Sequence, residues 1–174
     1  MSFWRALAIF SGLSVIMPLI TDICLPAIPD IARYYGVETG RIQQTISFLF
    51  FGAAFGQIVY GPLADRFGRK PVIVITMLMF TVISFFTVYA ATPNSHSFAR
   101  FLQGATGAGG MIIVRAIIRD LYDGAFSTKM FAYTMVGSSL MPILAPIVGG
   151  HVTELLGWKP NFFIIAGFGL VLTL

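Results

Sequence analysis

Charge divides this sequence. Stretches of about twenty residues run with almost no ionisable side chain, and between two of them Asp65, Arg66, Arg69 and Lys70 crowd into six consecutive positions. Runs of that length and apolarity match the ~30 Å hydrocarbon core of a bilayer, which an α-helix crosses in about 20 residues. Composition agrees: 57% of the residues are hydrophobic and 10% charged, against about 25% charged in soluble domains. The 174 residues leave room for roughly six such helices and no sizeable soluble domain.

Apolar runs place the spans at about 6–29, 42–64, 71–92, 96–118, 130–152 and 161–174. The expected fold is an all-α membrane bundle occupying residues 1–174, with its sixth helix too short to cross, so that the chain reads as a piece of something longer. The run after Arg5 lacks a small-x-small cleavage site and is expected to remain as a span. Pro71 suits the first position of the third helix, where a missing N–H costs nothing. Pro26, Pro142 and Pro146 deprive the carbonyls of Asp22, Ser138 and Pro142 of their helical partners. Such carbonyls at membrane depth need protein or water beside them, which turns the first and fifth helices toward a bundle interior or a wet cavity.

Lys and Arg concentrate on the cytoplasmic side of membrane proteins. With the amino terminus inside, Arg5, Arg66, Arg69, Lys70, Arg119 and Lys129 fall on the inner side, and only Arg33, Arg41 and Lys159 on the outer side. The expected placement is a multi-pass protein of the cytoplasmic (inner) membrane with a cytoplasmic amino terminus. The net charge of +4 then reflects topology, not a nucleic-acid footprint. Cys24 is the single cysteine, and neither it nor the histidines fall at metal-ligand spacing. His96 and His151 lie at expected outer helix ends, without a nucleophile nearby, and read as interfacial. No enzyme activity, metal or cofactor is expected.

Small residues recur at helix-packing intervals, Gly52 and Gly56 on the second span and Gly104, Gly107, Ala108, Gly109 and Gly110 on the fourth. They let backbones approach closely, either as static packing or as smooth faces for helices that slide. Asp22 is the only carboxylate well inside an expected span. Charged groups at that depth cost ~2.5–3.5 kcal/mol on insertion scales and usually face the bundle interior, along ion or substrate pathways. Arg100 lies at comparable depth. Three readings follow: Asp22 exchanges a proton, or forms a permanent pair with Arg100, or caps the backbone broken by Pro26.

The stretch "GPLADRFGRKP" resembles the loop motif between helices two and three of the major facilitator superfamily, G-x-x-x-D-R-x-G-R-[RK], at Gly61, Asp65, Arg66, Gly68, Arg69 and Lys70. "RFLQGATGAGG" is similar to that superfamily's helix-four motif at Arg100, Gln103 and Gly104. "MPLITDICLPAIPDIA" and "LAPIVGG" resemble the bicyclomycin and chloramphenicol resistance (Bcr/CflA) branch of drug exporters. The exporter motif of helix five is kept at Pro146, Gly149 and Gly150, while Ala132, Met141 and Ala145 replace its earlier glycines.

The resemblance implies the amino-terminal six-helix half of a twelve-helix transporter whose carboxy-terminal half is the missing partner. It implies drug efflux driven by the proton gradient, with small apolar or amphiphilic compounds as substrates and the lipid bilayer as surroundings. It makes the Asp65–Lys70 loop a cytoplasmic latch, with Asp120 and Asp123 as possible partners of Arg69 or Lys70. It also sets helices one and four along a central cavity, which makes Asp22 and Arg100 the candidates for proton coupling. Metabolite uptake on the same fold is an alternative, since only the incomplete helix-five motif separates the two. A half that does not transport and serves as a membrane interaction partner is another.

Overall fold

The computed structural model describes residues 3–122 and 124–173, and among these every regular element is helical. In chain order they are α1 (Phe3–Asp22), α2 (Ile28–Tyr35), α3 (Thr39–Phe67), α4 (Arg69–Thr87), α5 (Pro93–Leu121), α6 (Gly124–Leu156) and α7 (Lys159–Val171). The helices α1, α3, α4, α5 and α6 are long and apolar enough to cross a membrane, and α7 is apolar but shorter. The chain is an all-α membrane bundle.

The largest departure from expectation lies in the first span. A single helix over 6–29 is expected, yet α1 stops at Asp22 and five residues of turn lead into the separate helix α2. Pro26 has no N–H for the Asp22 carbonyl, which accepts from Leu25 N at 3.3 Å; Ala27 N to Cys24 O at 3.1 Å and Ile28 N to Leu25 O at 3.3 Å continue the same tight pattern. The helix restarts with a proline in its first turn, Pro29, where no amide partner is lost. Ile28, Ile31 and Ala32 face inward from α2. Asp22 therefore sits at a helix end and not in mid-helix.

Most other boundaries move outward, because helices outlast the hydrocarbon, but α4 ends at Thr87 and α7 at Val171, short of the expected 92 and 174. α5 begins at Pro93 under a capping box in which the Thr92 and Ser95 side chains each bond the other's backbone amide, an arrangement that satisfies amides with no partner inside the helix. α3 and α4 are separated by Gly68 alone, at φ 87°, a conformation costly for residues with a Cβ. Pro71 thus occupies the third position of α4 and not the first, still within the turn whose amides lack partners.

α3 lies against α5, and α4 also packs on α5 and on α7, while α1 packs on α6. At the α3–α5 contact a Cβ added to Gly52, Gly56 or Gly104 would overlap the carbonyl oxygens of Phe101, Ala105 and Leu49 respectively. The backbones themselves touch, as small residues permit between membrane helices. A Cβ at Gly149 would likewise strike the Ile23 carbonyl, so α6 presses on the broken end of α1. Ser138 Oγ donates to Ser14 O at 3.3 Å farther along the same pair.

This contact generates a stability test. Gly104→Ala forces α3 and α5 apart and costs at least the ~1–3 kcal/mol typical of overpacking, whereas Gly167→Ala, which meets nothing within 4 Å, leaves the thermal midpoint unchanged or raised. Equal midpoints for the two variants in detergent contradict the close packing.

Candidate functional site

The break in α1 exposes a carbonyl that the helix no longer serves. Arg100, from the second turn of α5, reaches it: both terminal guanidinium nitrogens donate to Ile20 O at 3.2 Å. The same guanidinium donates to Gln103 Oε1 at 2.8 Å, and Gln103 Nε2 donates to Ser84 Oγ on α4 at 2.8 Å. The Phe162 ring of α7 lies 5.5 Å from the guanidinium carbon, within cation–π range. Arg100 is 2% exposed, so its charge is dispersed over one carbonyl, one amide and one ring face drawn from α1, α5 and α7. Arginine suits this role through its planar fork of five donors.

Asp22 is not among these partners. It joins no ion pair with Arg100, and among the described residues its carboxylate takes part in no hydrogen bond. It lines a cavity of about 530 Å³ with Ser14, Met17, Pro18 and Thr21 of α1, Phe50 and Gln57 of α3, Met111 of α5, and Ser138 and Pro142 of α6. The size and the mostly apolar lining with few polar groups are those of a small-molecule site. Pro142 reaches this cavity, while Pro146, Gly149 and Gly150 stay in the continuous helix α6. Gly149 and Gly150 lie against Ile23 and Pro26 of the broken segment. Gly149 O accepts from Thr153 Oγ1 at 2.6 Å and Asn161 Nδ2 at 3.3 Å, tying α6 to α7.

At the opposite end of the bundle, Arg69 Nη2 pairs with Asp120 Oδ2 at 2.5 Å. Asp65, Arg66 and Lys70 are exposed, and the Arg66 guanidinium lies 5.2 Å from the Phe67 ring centre. Asp123 lies outside the described residues. Beside the pair is an open cavity of about 590 Å³ lined by Tyr60, Gly61, Asp65, Arg69, Arg115 and Arg119, among others. At half exposure for Asp120 the pair contributes only about 0–1 kcal/mol.

At the α2 end one neutral and one charge-assisted hydrogen bond join separate segments, beside an Arg33–Asp30 ion pair within α2 itself. Tyr35 donates to Ala90 O at 2.8 Å, and Arg41 Nη2 to Asn94 Oδ1 at 2.5 Å. Burial, and after it the neighbouring Tyr34, push the Tyr35 phenol up to about 12, so this donor keeps its proton at any physiological pH. His151 is exposed as expected for an interface, but His96 is 1% exposed and enclosed by aromatic rings. Its expected interfacial position is corrected by α2 and the start of α7, which cover it. Among the described residues no three His, Cys, Asp or Glu side chains gather as metal ligands.

Sequence reasoning did not find Ser84, Phe162, Gln57 or the Ile20 carbonyl. Gln57 carried a signal, being an amide midway along an otherwise apolar span. The Ile20 carbonyl carried none.

A family model described as Major Facilitator Superfamily matches residues 8–174. The chain is 32% identical over 97% of its length to the uncharacterized MFS-type transporter YdgK of Bacillus subtilis (strain 168). It is 30% identical over 91% of its length to a bicyclomycin resistance protein homolog of Haemophilus influenzae, and 31% identical over 82% to multidrug resistance protein D of Escherichia coli (strain K12). It spans only 43%, 40% and 36% of these relatives.

Stability separates a free Asp22 from a paired one. Arg100→Met orphans the Gln103 and Ile20 oxygens and lowers stability by at least ~1–3 kcal/mol. Asp22→Asn leaves the thermal midpoint of the purified protein unchanged, and a comparable fall in both variants contradicts this geometry.

Proposed function

We propose, from the fact that the chain belongs to the major facilitator superfamily, that it forms part of a proton-coupled exporter of small apolar or amphiphilic compounds. The observation that carries this reading is Asp22: a carboxylate without a partner among the described residues, at a helix break, on the wall of a 530 Å³ mostly apolar cavity. A carboxylate so placed gains or loses a proton at low structural cost, because no hydrogen-bond network must be rebuilt. Met17, Phe50 and Met111 supply the soft, adaptable surface suited to varied apolar ligands. The names of two relatives, a bicyclomycin resistance protein homolog and multidrug resistance protein D, point the same way.

The cavity is open on one side, and the chain spans about two fifths of the length of these relatives. In this proposal further helices close the cavity, and the two bundles rock about it in alternating access. The cytoplasmic membrane is the setting, with the amino terminus and the Asp65–Lys70 loop inside. There Arg69–Asp120 and the free Asp65 form a latch whose weakness suits repeated opening. Substrate entry favours the neutral form of Asp22, and an aqueous path opened by rocking favours the charged one. Because Arg100 is committed to Ile20 and Gln103, its effect on Asp22 is a field through the protein and not a salt bridge.

Asp22→Asn in the full-length protein is expected to abolish uphill, pH-gradient-driven export in proteoliposomes while substrate binding persists. Export against a gradient by this variant overturns the proton-carrier role. Asp65→Asn, a change of charge at nearly constant size, is expected to slow export at equal membrane abundance, and an unchanged rate removes the latch from the account.

A further inference from the structure

His96 lies in the first turn of α5, where a histidine ordinarily reaches the membrane interface. Here the rings of Tyr35, Trp158 and Phe162 enclose it, with centroids 5.7, 6.1 and 5.6 Å away. Its Nδ1 has no hydrogen-bond partner among the described residues. A buried polar atom left in that state costs about 1–3 kcal/mol, and such atoms in native proteins almost always have a partner in protein or ordered water.

A small internal cavity of about 10 Å³ borders this side chain, and its remaining polar walls are Thr21, Cys24, Thr45 and Arg100. Thr21 and Thr45 spend their hydroxyl hydrogens on the carbonyls of Met17 at 2.9 Å and Ile42 at 2.7 Å, which leaves oxygen lone pairs as their free capacity. Arg100 spends three of its N–H groups on Ile20 and Gln103 and retains the others. The cavity is therefore bordered by surplus donors on one wall and surplus acceptors on the others. Among the described residues Thr21, Thr45, His96 and Arg100 make no direct hydrogen bond to one another, and only the Cys24 thiol lies within reach of the guanidinium.

We infer that this cavity is a binding site for one structural water, which accepts from the Arg100 guanidinium and donates to His96 Nδ1 and to a threonine oxygen. The volume is about what one water needs, and a buried water needs two to four polar partners, which these walls supply. A cation is unsuited to the place, since the guanidinium already brings an uncompensated positive charge to it. A neutral dipole joins that charge to the imidazole lone pair without adding another. Thr21 also lines the larger cavity that holds Asp22, so the two spaces share a wall through which the water exchanges. The site ties the break in α1 to α5 at the point where α7 covers both. It stands whether or not the protein pumps protons.

X-ray pulse radiolysis of the full-length transporter in nanodiscs tests this, because radiolysis of a bound water oxidises side chains that bulk reagents do not reach. With each rate normalised to the intrinsic hydroxyl-radical reactivity of its side chain, Cys24, 3% exposed, is expected to oxidise severalfold faster than Met77, a sulfur buried at 0% exposure away from this cavity, while resisting N-ethylmaleimide. Thr45→Val and His96→Phe, each removing an acceptor, are expected to lower the Cys24 rate severalfold, and either variant serves if the other fails to fold. Cys24 oxidising no faster than Met77 means a dry cavity and overturns the site. Rapid maleimide labelling of Cys24 means access from bulk solvent and overturns it as well.

Discussion

One buried guanidinium holds the architecture of the site together. Arg100 brings a full charge into the bundle, where among the described residues no carboxylate meets it, and a charge so placed is tolerated only if donors and acceptors are matched around it. The matching is done by a carbonyl that an intact helix would have kept for itself. Break and arginine thus require one another: without the break Ile20 O is occupied, and without Arg100 the break leaves an orphaned acceptor at membrane depth. Gln103 and Ser84 extend the same network to α4, and Phe162 adds α7, so that four of the helices are held in register by a single side chain and its neighbours.

The consequence for chemistry lies in what Arg100 does not touch. Had it paired with Asp22, the carboxylate would be locked in its charged form at the cost of mobility. Its commitment to the backbone leaves Asp22 facing an apolar cavity with its protonation state open to the surroundings, the property that the proposed coupling needs. The two ends of the bundle differ in keeping with this. Aromatic packing and the hydrogen bonds from Tyr35 and Arg41 join separate segments at the α2 end, where the Arg33–Asp30 pair stays within α2, whereas at the other end the Arg69–Asp120 pair bridges α4 and α5 beside the exposed Asp65, Arg66 and Lys70. In the proposed rocking mechanism the first is suited to act as a fixed block and the second as a contact that is made and broken.

Much of this was legible in the sequence, because hydropathy and charge set the number and rough position of the long helices and the loop motif fixed Gly68 at the turn between α3 and α4. Helix ends such as Thr39–Arg41 and Pro93–Ser95 were missed, since a helix runs on beyond the hydrocarbon without apolar residues, in α5 under a capping box. The break after Asp22 was missed for the opposite reason: Ile23–Ala27 remains apolar, and a hydropathy reading passes over a change in the backbone. Pro26 was recognised as leaving a carbonyl free. Which carbonyl Arg100 would seek was not readable, because every residue has one, and the only visible counter-charge was Asp22. His96 read as interfacial because its cage comes from Tyr35, Trp158 and Phe162, two segments far from it in sequence.

Infrared difference spectroscopy across a pH titration of the full-length protein tests most directly whether Asp22 is a free carboxylate set apart from a backbone-bound Arg100. The account predicts a protonated-carboxyl carbonyl band that grows as pH falls, is absent from Asp22→Asn, and persists in Arg100→Lys. A spectrum in which Asp22→Asn removes no such band, or in which Arg100→Lys abolishes it, contradicts the account.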